Sequence, residues 1–418
     1  MDYPFVSPIT SYLLKTRQYR LNSFFGRFAD AGRSLCSIHD RKMLMKILCS
    51  CLAPLLVCVV IPRTHAASYK ATLLHPPGLD VSYGHGASEG SQVGMGIRPS
   101  FGGYFHAFLW SGTAASAVDL NPAGFNASEA QAVSGTTQVG FGYGPASNNF
   151  IHALKWSGTA ASVVDLNPVG FAGSLAFDVF ENRQVGWGIP TSTVNSHALL
   201  WNGTAESVVD LHPAGFTASE ARGVSDDSEV GYGSSPQTSG ADHALLWKGT
   251  ASSAVDLNPN GFYYSRAYGV SQNQQVGYGY GSVTNSYEHA VLWNGTAESA
   301  IDLNPIGYEA SRAYDVVNGV QIGYGATSDG YQHAMTWRGT ADSAVDLHSL
   351  VTQLNPAFKY SVATRISSDG SIVGFAGAPS SEAHAVLWTL VPEPKCLPLL
   401  GAGLSALILT RRKHFRLC

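Results

Sequence analysis

Seven histidines recur along the chain at nearly equal spacing, and imidazoles serve proteins as metal ligands and as general bases. Each is followed directly by Ala and, four residues on, by Trp. A zinc site needs three or four ligands that converge on one point. Each of these histidines occupies the same place in its own repeat, so we expect them to be far apart and structural, with no metal or cofactor. They are His106, His152, His197, His243, His289, His333 and His384.

The repeat that carries these histidines has a period of about 46 residues, which is typical of solenoids and β-propellers. In the unit around Val270, four short runs are separated by turns rich in Gly, Asn and Pro, as in one propeller blade. The repeated Trp is expected to fill the core between blades. The four runs are Arg266–Ser271, Gln275–Gly279, His289–Trp293 and Ala300–Leu303.

The number of units indicates how the ring closes. The second and third runs occur seven times, but the fourth is complete only six times, because the last unit stops after Trp388. The segment Ala71–Pro76 resembles the ending of a fourth run, so we expect it to complete the last blade. Closure of this kind removes exposed strand edges. The sequence therefore predicts an all-β, seven-bladed β-propeller of four-stranded repeats over residues 68–390, closed by the N-terminal strand.

The distribution of charged residues along the chain bears on which classes of molecule the protein could bind. Residues 68–390 contain 11 Lys and Arg against 25 Asp and Glu, a net charge of −14, while the other basic residues lie in the two tails. An acidic body argues against nucleic acid as a partner, since that interaction requires phosphate neutralisation by Lys and Arg. All six cysteines lie outside the repeats, so disulfides are not expected to stabilise the body. They are Cys36, Cys49, Cys51, Cys58, Cys396 and Cys418.

The N-terminal part has the order of a secretory signal. An apolar run, Ile47–Ile61, follows basic residues and precedes small residues at Ala66 and Ala67. A basic start, a short apolar core and small residues at the cleavage point define a signal peptide. We predict a signal peptide over residues 43–67, cleaved after Ala66 or Ala67. Residues 1–42 are interpreted as a mis-assigned extension upstream of the true start.

The C-terminal part, residues 391–418, has three components in order. Val391-Pro392-Glu393-Pro394 is followed by the apolar run Leu397–Thr410 and by the basic cluster Arg411-Arg412-Lys413. The run is about 21 Å long as a helix at ~1.5 Å per residue, which is short for a ~30 Å hydrocarbon core. The basic cluster is expected to stay on the cytoplasmic side. Both tails thus predict a body held outside the membrane and anchored by a C-terminal helix.

This tail resembles the PEP-CTERM sorting signal of Gram-negative bacteria. The resemblance rests on Val391, Pro392, Glu393 and Pro394, on the Gly- and Leu-rich segment after them, and on Arg411, Arg412 and Lys413. It implies an exosortase-type membrane enzyme as a processing partner. It also implies localisation at the cell surface or outside the cell, in a bacterium that makes exopolysaccharide.

The repeats resemble those of the HAF-repeat family of bacterial extracellular proteins. The family unit has a His-Ala-Phe-x-Trp core, as in His106–Trp110, followed by Gly and then by Asp-Leu; most units here have Leu or Val in place of Phe. The resemblance implies an exported repeat protein and implies neither an activity nor a cofactor.

Binding is expected where the repeats differ, in the loops between the second and third runs. Loops on a rigid scaffold are the usual place for binding. Aromatic residues among Asn, Asp and Gln suit stacking on sugar rings together with hydrogen bonds to hydroxyls. We predict a non-catalytic protein that binds polysaccharide or a protein partner through these loops. The candidate residues are Phe101, Tyr104, Phe105, Phe150, Tyr280, Tyr287 and Tyr331.

Two alternatives remain open at this point. One is a glycan lyase or hydrolase acting in the propeller channel, because propellers host such chemistry and fold does not decide function. Hydrolysis would need two carboxylates at a fixed separation; Asp178 with Glu181 and Asp226 with Asp227 lie outside the repeat pattern. The other alternative is a passive structural module of the cell surface.

Overall fold

A computed structural model of the chain describes residues 68–379 and 383–392. The predicted signal peptide, the extension before it, the residues from Glu393 onward and the predicted apolar helices at both ends lie outside this range. Within it, no helix has the length and apolar character needed to span a membrane.

The described residues form seven antiparallel sheets of four strands each, which we call blades 1 to 7. Blade 1 comprises β2 (Val81–Ser88), β3 (Ser91–Ile97), β4 (Phe105–Trp110) and β5 (Val118–Asp119). Blades 2 and 3 comprise β6 (Ala127–Ser134), β7 (Thr137–Tyr143), β8 (Ile151–Trp156), β9 (Val164–Asp165), β10 (Phe171–Phe180), β11 (Arg183–Pro190), β12 (His197–Trp201) and β13 (Val209–Asp210). Blades 4 and 5 comprise β14 (Ala218–Ser225), β15 (Ser228–Ser234), β16 (Asp242–Trp247), β17 (Val255–Asp256), β18 (Phe262–Ser271), β19 (Gln274–Gly281), β20 (His289–Trp293) and β21 (Ile301–Asp302). Blades 6 and 7 comprise β22 (Ala310–Val317), β23 (Val320–Ala326), β24 (Gln332–Trp337), β25 (Val345–Asp346), β26 (Tyr360–Ile366), β27 (Ile372–Gly377), β28 (His384–Leu390) and β1 (Tyr69–Leu73).

The N-terminal strand closes the ring, as predicted. β1 pairs with β28 in register from Tyr69 opposite Leu390 to Leu73 opposite Val386, and supplies the outermost strand of blade 7. Leu74 follows β1 and is fully buried, like the equivalent Leu120 after β5. The last blade is therefore built from both ends of the repeat region.

Strand direction defines two faces of the propeller. Neighbouring strands are antiparallel, so the connections from second to third strand and from fourth to first emerge at one end, which we call the loop face. Residues 98–104 and 120–126 are examples. The turns from first to second strand, such as Glu89–Gly90, emerge at the other end, which we call the hairpin face. The first strands are innermost, since residues from all seven line one cavity at the hairpin face.

The regular residues of the repeat hold neighbouring blades together. Val93, Ala107 and Leu120 of blade 1 pack against Trp156 of blade 2, and this cluster recurs around the ring. All seven repeated tryptophans are fully buried, which agrees with their predicted role. Gly94 is required by close packing, because a Cβ there would lie 1.9 Å from the carbonyl oxygen of Tyr83. Leaving out that side chain lets the two inner strands of the blade approach each other.

A buried serine links each blade to the next, and we call this arrangement the interblade lock. Ser128 Oγ of β6 accepts a hydrogen bond from the Ala107 amide of β4 and donates to Asn121 Oδ1. Asn121 Nδ2 in turn donates to the carbonyl of Phe125. The seam between blades 7 and 1 uses the same lock, with Ser82 bonded to the Ala385 amide and to His75. The amide-to-serine hydrogen bond recurs at all seven seams. At six of them the serine also bonds to an Asn or His side chain, which satisfies buried polar groups and fixes the orientation of neighbouring blades.

Short helical segments complete the connections. Nine 3-10 turns and one α-helix, α1 (His348–Thr352), occur in the described residues, and the sequence analysis did not predict them. Most of the 3-10 turns lie between the third and fourth strands. The turns are Pro99–Phe101, Ala114–Ser116, Pro145–Ser147, Ala160–Ser162, Ala205–Ser207, Ala251–Ser253, Ser282–Thr284, Ala297–Ser299 and Ala341–Ser343.

Candidate functional site

Six of the repeated histidines pair with the repeated aspartate of their own blade. His106 Nδ1 lies 2.9 Å from Asp119 Oδ2, and in the other five blades the same distance is 2.7–2.8 Å. The second carboxylate oxygen accepts a backbone N–H two residues on, as Asp119 Oδ1 does from Asn121. Each pair ties a third strand to a fourth strand. The other five pairs are His152–Asp165, His197–Asp210, His243–Asp256, His289–Asp302 and His333–Asp346.

The seventh histidine has a different partner because β1 carries no aspartate at this position. His384 stacks on His75, with ring centroids 3.9 Å apart. Two further imidazole stacks occur, His197 on His212 at 3.9 Å and His333 on His348 at 4.1 Å. In the described part of the chain, no three His, Cys, Asp or Glu side chains converge in the manner of a metal site.

The predicted loop aromatics differ in exposure. Tyr104 is 43% exposed, Phe150 55% and Tyr287 52%. Phe101, Phe105, Tyr280 and Tyr331 are half-buried. Phe101 stacks on His106 at 3.6 Å beneath the guanidinium of Arg98, so it packs against the scaffold. Phe105 makes an edge contact with Phe141 of the next blade.

Blade 5 carries four tyrosines on the loop face: Tyr263 and Tyr264 contact Tyr280, and Tyr287 lies in the loop that follows. We call these four residues the tyrosine platform. Tyr280 lies at the end of β19 and makes edge contacts with Tyr263 at 5.6 Å and Tyr264 at 4.6 Å. Tyr263 and Tyr287 are 56% and 52% exposed. Glu288 accepts a hydrogen bond from the Tyr264 hydroxyl, and burial raises the pKa of that phenol. The platform thus offers exposed phenol rings on a fixed base.

Ion pairs support the same region of the ring. Arg312 Nε donates to Glu288 Oε2 at 2.6 Å, and its guanidinium lies 4.3 Å from the ring centre of Tyr278. The preceding seam repeats this arrangement: Arg266 pairs with Asp242 through Nε at 2.9 Å and Nη2 at 2.6 Å. Arginine stacked on an aromatic ring and paired with a carboxylate is held in one orientation. These residues position the base of the platform.

A β-bulge interrupts every first strand at the same place. In β2 the pairing shifts between Gly84 and Gly86, and the equivalent shift occurs in the other six blades. A bulge bends the strand and re-aims the extra side chain. The side chains at the bulges line a chamber in the channel, and their types differ from blade to blade. They are His85, Gln131, Phe177, Arg222, Tyr268, Tyr314 and Thr364.

Next to the bulges, Arg365 of blade 7 forms ion pairs with aspartates of two other blades, and we call these three residues the channel strut. Arg365 Nη2 lies 3.0 Å from Asp178 Oδ1 of blade 3, and Nη1 lies 3.6 Å from Asp315 Oδ1 of blade 6. Each aspartate also accepts backbone N–H bonds, Asp178 from Val179 and Val224. Burial raises the pKa of Asp178, and that of Asp315 to about 6, while Arg365 opposes both shifts.

The strut divides the channel into two cavities. A cavity of about 430 Å³ at the hairpin face is lined by the ends of the first strands, with Asp178, Asp315 and Arg365. A chamber of about 170 Å³ is lined by the bulge residues and also by Arg365. Arg365 therefore lies between them. The chamber residues precede the hairpin-face residues along each first strand, which places the chamber toward the loop face.

The acid pairs considered as catalytic candidates do not come together. Asp178 belongs to the channel strut, whereas Glu181 lies in the hairpin after β10, with φ at 53°. Asp226 also lies in a hairpin turn, and the exposed Asp227 is 3.7 Å from Lys248 Nζ. The pairs of acids that sequence proximity suggested are thus not facing pairs in a cavity.

Sequence reasoning missed the bulge residues and the partners of Asp178. The sequence does mark the bulge position. In each first run it lies between a small residue and a Gly, Ala, Asp or Arg, and its residue type differs in nearly every repeat. What sequence does not show is that a bulge directs this position into the channel. Arg365 and Asp178, 187 residues apart, meet only because the ring closes.

Comparison with known proteins agrees with the fold and leaves the site unassigned. No protein-family model matches the chain, and no curated protein matches it. Puromycin hydrolase superposes with a TM-score of 0.52 at 12% identity, over 77% of this chain and 54% of that one. A puromycin-hydrolyzing peptidase of Mycobacterium tuberculosis superposes with a TM-score of 0.50 at 14% identity, over 80% and 57%. This chain thus spans little more than half the length of either enzyme.

A third similar structure is the β-propeller domain of the Trilobed protease from Pyrococcus furiosus. It has a TM-score of 0.51 at 9% identity, over 74% of this chain and 95% of that domain. Its velcro topology is described as open, whereas here β1 pairs with β28. At such identities the likeness shows fold alone. The fold and these comparisons together define a seven-bladed β-propeller.

Proposed function

We propose that the chain is an exported, non-catalytic propeller of the cell surface or extracellular matrix that binds polysaccharide on its loop face. The observation that carries the proposal is the tyrosine platform of blade 5. Tyr263 and Tyr287 are more than half exposed although they sit on a rigid scaffold. Two of its members, Tyr280 and Tyr287, belong to the loops that vary between repeats.

The chemistry of the platform suits a sugar polymer. Aromatic rings offer apolar faces for the C–H groups of sugars, and phenol hydroxyls supply hydrogen bonds. Asn285 lies in the same loop, with φ at 52°, and Tyr263 and Tyr264 precede it on the adjacent first strand. The acidic body disfavours an anionic polymer bound by general electrostatic attraction. The expected ligand at this platform is therefore held by stacking and hydrogen bonds.

Retention on the exopolysaccharide of the producing bacterium tests this proposal. We expect the mature protein to be retained, and the triple variant Tyr263→Ala, Tyr280→Ala, Tyr287→Ala to bind at least about tenfold more weakly, a loss of about 1.4 kcal/mol. The matched control changes Val118, Val209 and Ile301 on the outer strands to Ala. Equal retention of both variants would leave the passive structural role as the better account, and retention on a co-secreted protein alone would indicate a protein partner.

We further propose that the C-terminal residues are a PEP-CTERM sorting signal processed by an exosortase-type enzyme. The supports are the Val391-Pro392-Glu393-Pro394 motif, the apolar run and Arg411-Arg412-Lys413. Changing Pro392, Glu393 and Pro394 to Ala should leave a full-length form in the membrane fraction, because the motif would no longer be recognised. Immunoblotting of fractionated cells checks this, with Arg338→Ala as a control in the body. A processed product from the motif variant would refute the assignment.

A glycan-active enzyme is the second candidate, and one observation favours it. Asp178 and Asp315 both contact Arg365 at the larger cavity, and burial raises their pKa values, as a general acid requires. Against it, both oxygens of each carboxylate already accept backbone N–H bonds. We therefore expect no release of new chain ends when the wild-type protein is incubated with polysaccharide. Release that disappears in Asp315→Asn would establish the enzyme instead.

A further inference from the structure

The chamber formed by the bulge residues has the properties of a small-ligand site. Each blade contributes one side chain placed by a bulge in its inner strand, and blade 7 adds Arg365. Its volume of about 170 Å³ is below the ~300–1,000 Å³ of pockets for drug-sized ligands. It therefore accommodates one small ring and not several.

The hydrogen-bond donors of the lining, and not its net charge, point to an anion, because Arg222 is already paired with Glu220 and Arg365 with Asp178 and Asp315. Two guanidinium groups, those of Arg222 and Arg365, line the chamber, and no carboxylate is among its described lining residues. Arg222 Nη2 donates to Glu220 at 2.6 Å and to the Tyr232 hydroxyl at 2.7 Å. No described residue accepts a hydrogen bond from its Nη1, and about a fifth of the side chain is exposed. A planar guanidinium with donors available is the preferred partner of a carboxylate.

The remaining lining residues suit a hydroxylated ring. The Arg222 guanidinium lies 3.7 Å from the ring centre of Phe177, which holds it in place. Tyr268 and Tyr314 add further aromatic surface. Gln131 donates from Nε2 to Glu129 at 2.6 Å, so Glu129 orients the amide with its carbonyl oxygen left to accept from a ligand. Aromatic walls with a few placed polar groups are the usual composition of a small-molecule site.

The channel strut closes the chamber at the end that faces the larger cavity. Arg365 lies between the two cavities and is held by Asp178 and Asp315. A polymer therefore cannot pass along the axis, and only a free molecule or a chain end can enter. We propose that the chamber binds a sugar acid, either free or as the terminal residue of an acidic polysaccharide, with Arg222 contacting its carboxylate. This site is separate from the tyrosine platform and does not depend on it.

Calorimetric titration of the mature protein with D-glucuronate tests the proposal, with D-glucose and inorganic phosphate as comparison ligands. We expect one glucuronate per chain and at least about tenfold weaker binding of glucose and of phosphate. Arg222→Gln should weaken glucuronate binding at least about tenfold. The matched control, Arg183→Gln, removes a guanidinium that is paired with Glu229 and does not line the chamber, and its affinity should stay within about twofold of the wild type.

Two further arms complete the test. Arg222→Lys keeps the charge that faces Glu220 but loses the planar fork, so a folded variant with intermediate affinity is expected. An oligosaccharide with terminal glucuronate that binds more tightly than the free acid would identify a chain end as the ligand; the reverse order would identify the free acid. Equal binding of glucose or phosphate, or equal losses in Arg222→Gln and Arg183→Gln, would overturn the proposal.

Discussion

At the residue scale, the same positions that recur in every blade build the scaffold, and single departures from the pattern carry the distinctive chemistry. The His–Asp pairs tie third strands to fourth strands, and the seven tryptophans fill the seams. Asp178, Asp315 and Arg365 stand where other blades have Gly or Ala. At Gly86, for example, a Cβ would lie 2.7 Å from Ala132 Cα. The strut therefore occupies positions at which the remaining blades are closely packed.

Asp315→Asn should change how stability depends on pH. The folded pKa of Asp315 is raised by burial to about 6, against ~3.9 in an unfolded chain. Between these values the folded protein holds a proton that the unfolded chain has lost, so the free energy of unfolding falls as pH rises from about 4 to 6. Because Asn does not ionise, the variant should not show this decrease in the free energy of unfolding. The melting temperature of the variant should therefore rise relative to that of the wild type as pH increases from about 4 to 6. A difference in melting temperature that stays constant from pH 4 to 6.5 would contradict this prediction.

At the element scale, the interblade lock explains how separate four-stranded sheets become one ring. The lock has Asn at most seams and His at three, and the imidazoles of His75 and His212 take both roles of the amide. His212 Nδ1 accepts from Ser219 Oγ at 2.8 Å, and Nε2 donates to the Phe216 carbonyl at 3.1 Å. This requires a neutral imidazole. Burial, followed by the neighbouring His197, lowers the pKa of His212.

His212→Asn should make the protein more resistant to acid. Because the folded pKa of His212 lies below the unfolded value of ~6.5, its contribution to stability is present above about pH 6.5 and is lost as pH falls below it. Asn fits the lock, as Asn121 does at the seam between blades 1 and 2. The melting temperature of the variant should therefore fall less between pH 7.5 and 5. Asn167→His is the reciprocal control and should increase acid sensitivity; matching pH profiles for all three proteins would exclude this role.

At the scale of the whole molecule, the ring is closed by the pairing of β1 with β28 within blade 7, two strands that come from opposite ends of the repeat region. Leu74→Ala and the equivalent Leu120→Ala should each cost about 2–5 kcal/mol of unfolding free energy, since both side chains are fully buried. Only Leu74→Ala should also release β1 and expose the edge of β28 to pairing. Limited proteolysis should then cleave near residues 68–74 in that variant alone. Identical cleavage patterns would show that β1 does not act as the closing strand.

The fold was predictable because one pattern recurs seven times, so errors in single strands did not affect the count. The strand bounds were less accurate: the first run around Val270 was placed at Arg266–Ser271, while β18 begins at Phe262. That difference hid Tyr263 and Tyr264 from the predicted site, although Tyr280 and Tyr287 were included. The bulge residues were missed because a register shift depends on pairing with the neighbouring strand, which alternation within one run does not show.

Oxidative footprinting by mass spectrometry, with and without exopolysaccharide, tests the central claim of polysaccharide binding on the loop face most directly. The method measures, for each exposed side chain, how much bound polysaccharide reduces its rate of oxidation. The account predicts that Tyr263, Tyr280 and Tyr287 lose reactivity when polysaccharide is added, while Val118 and Val209 on the outer strands do not. Protection confined to the outer strands, or none at the tyrosine platform under conditions where the protein is retained, would contradict it.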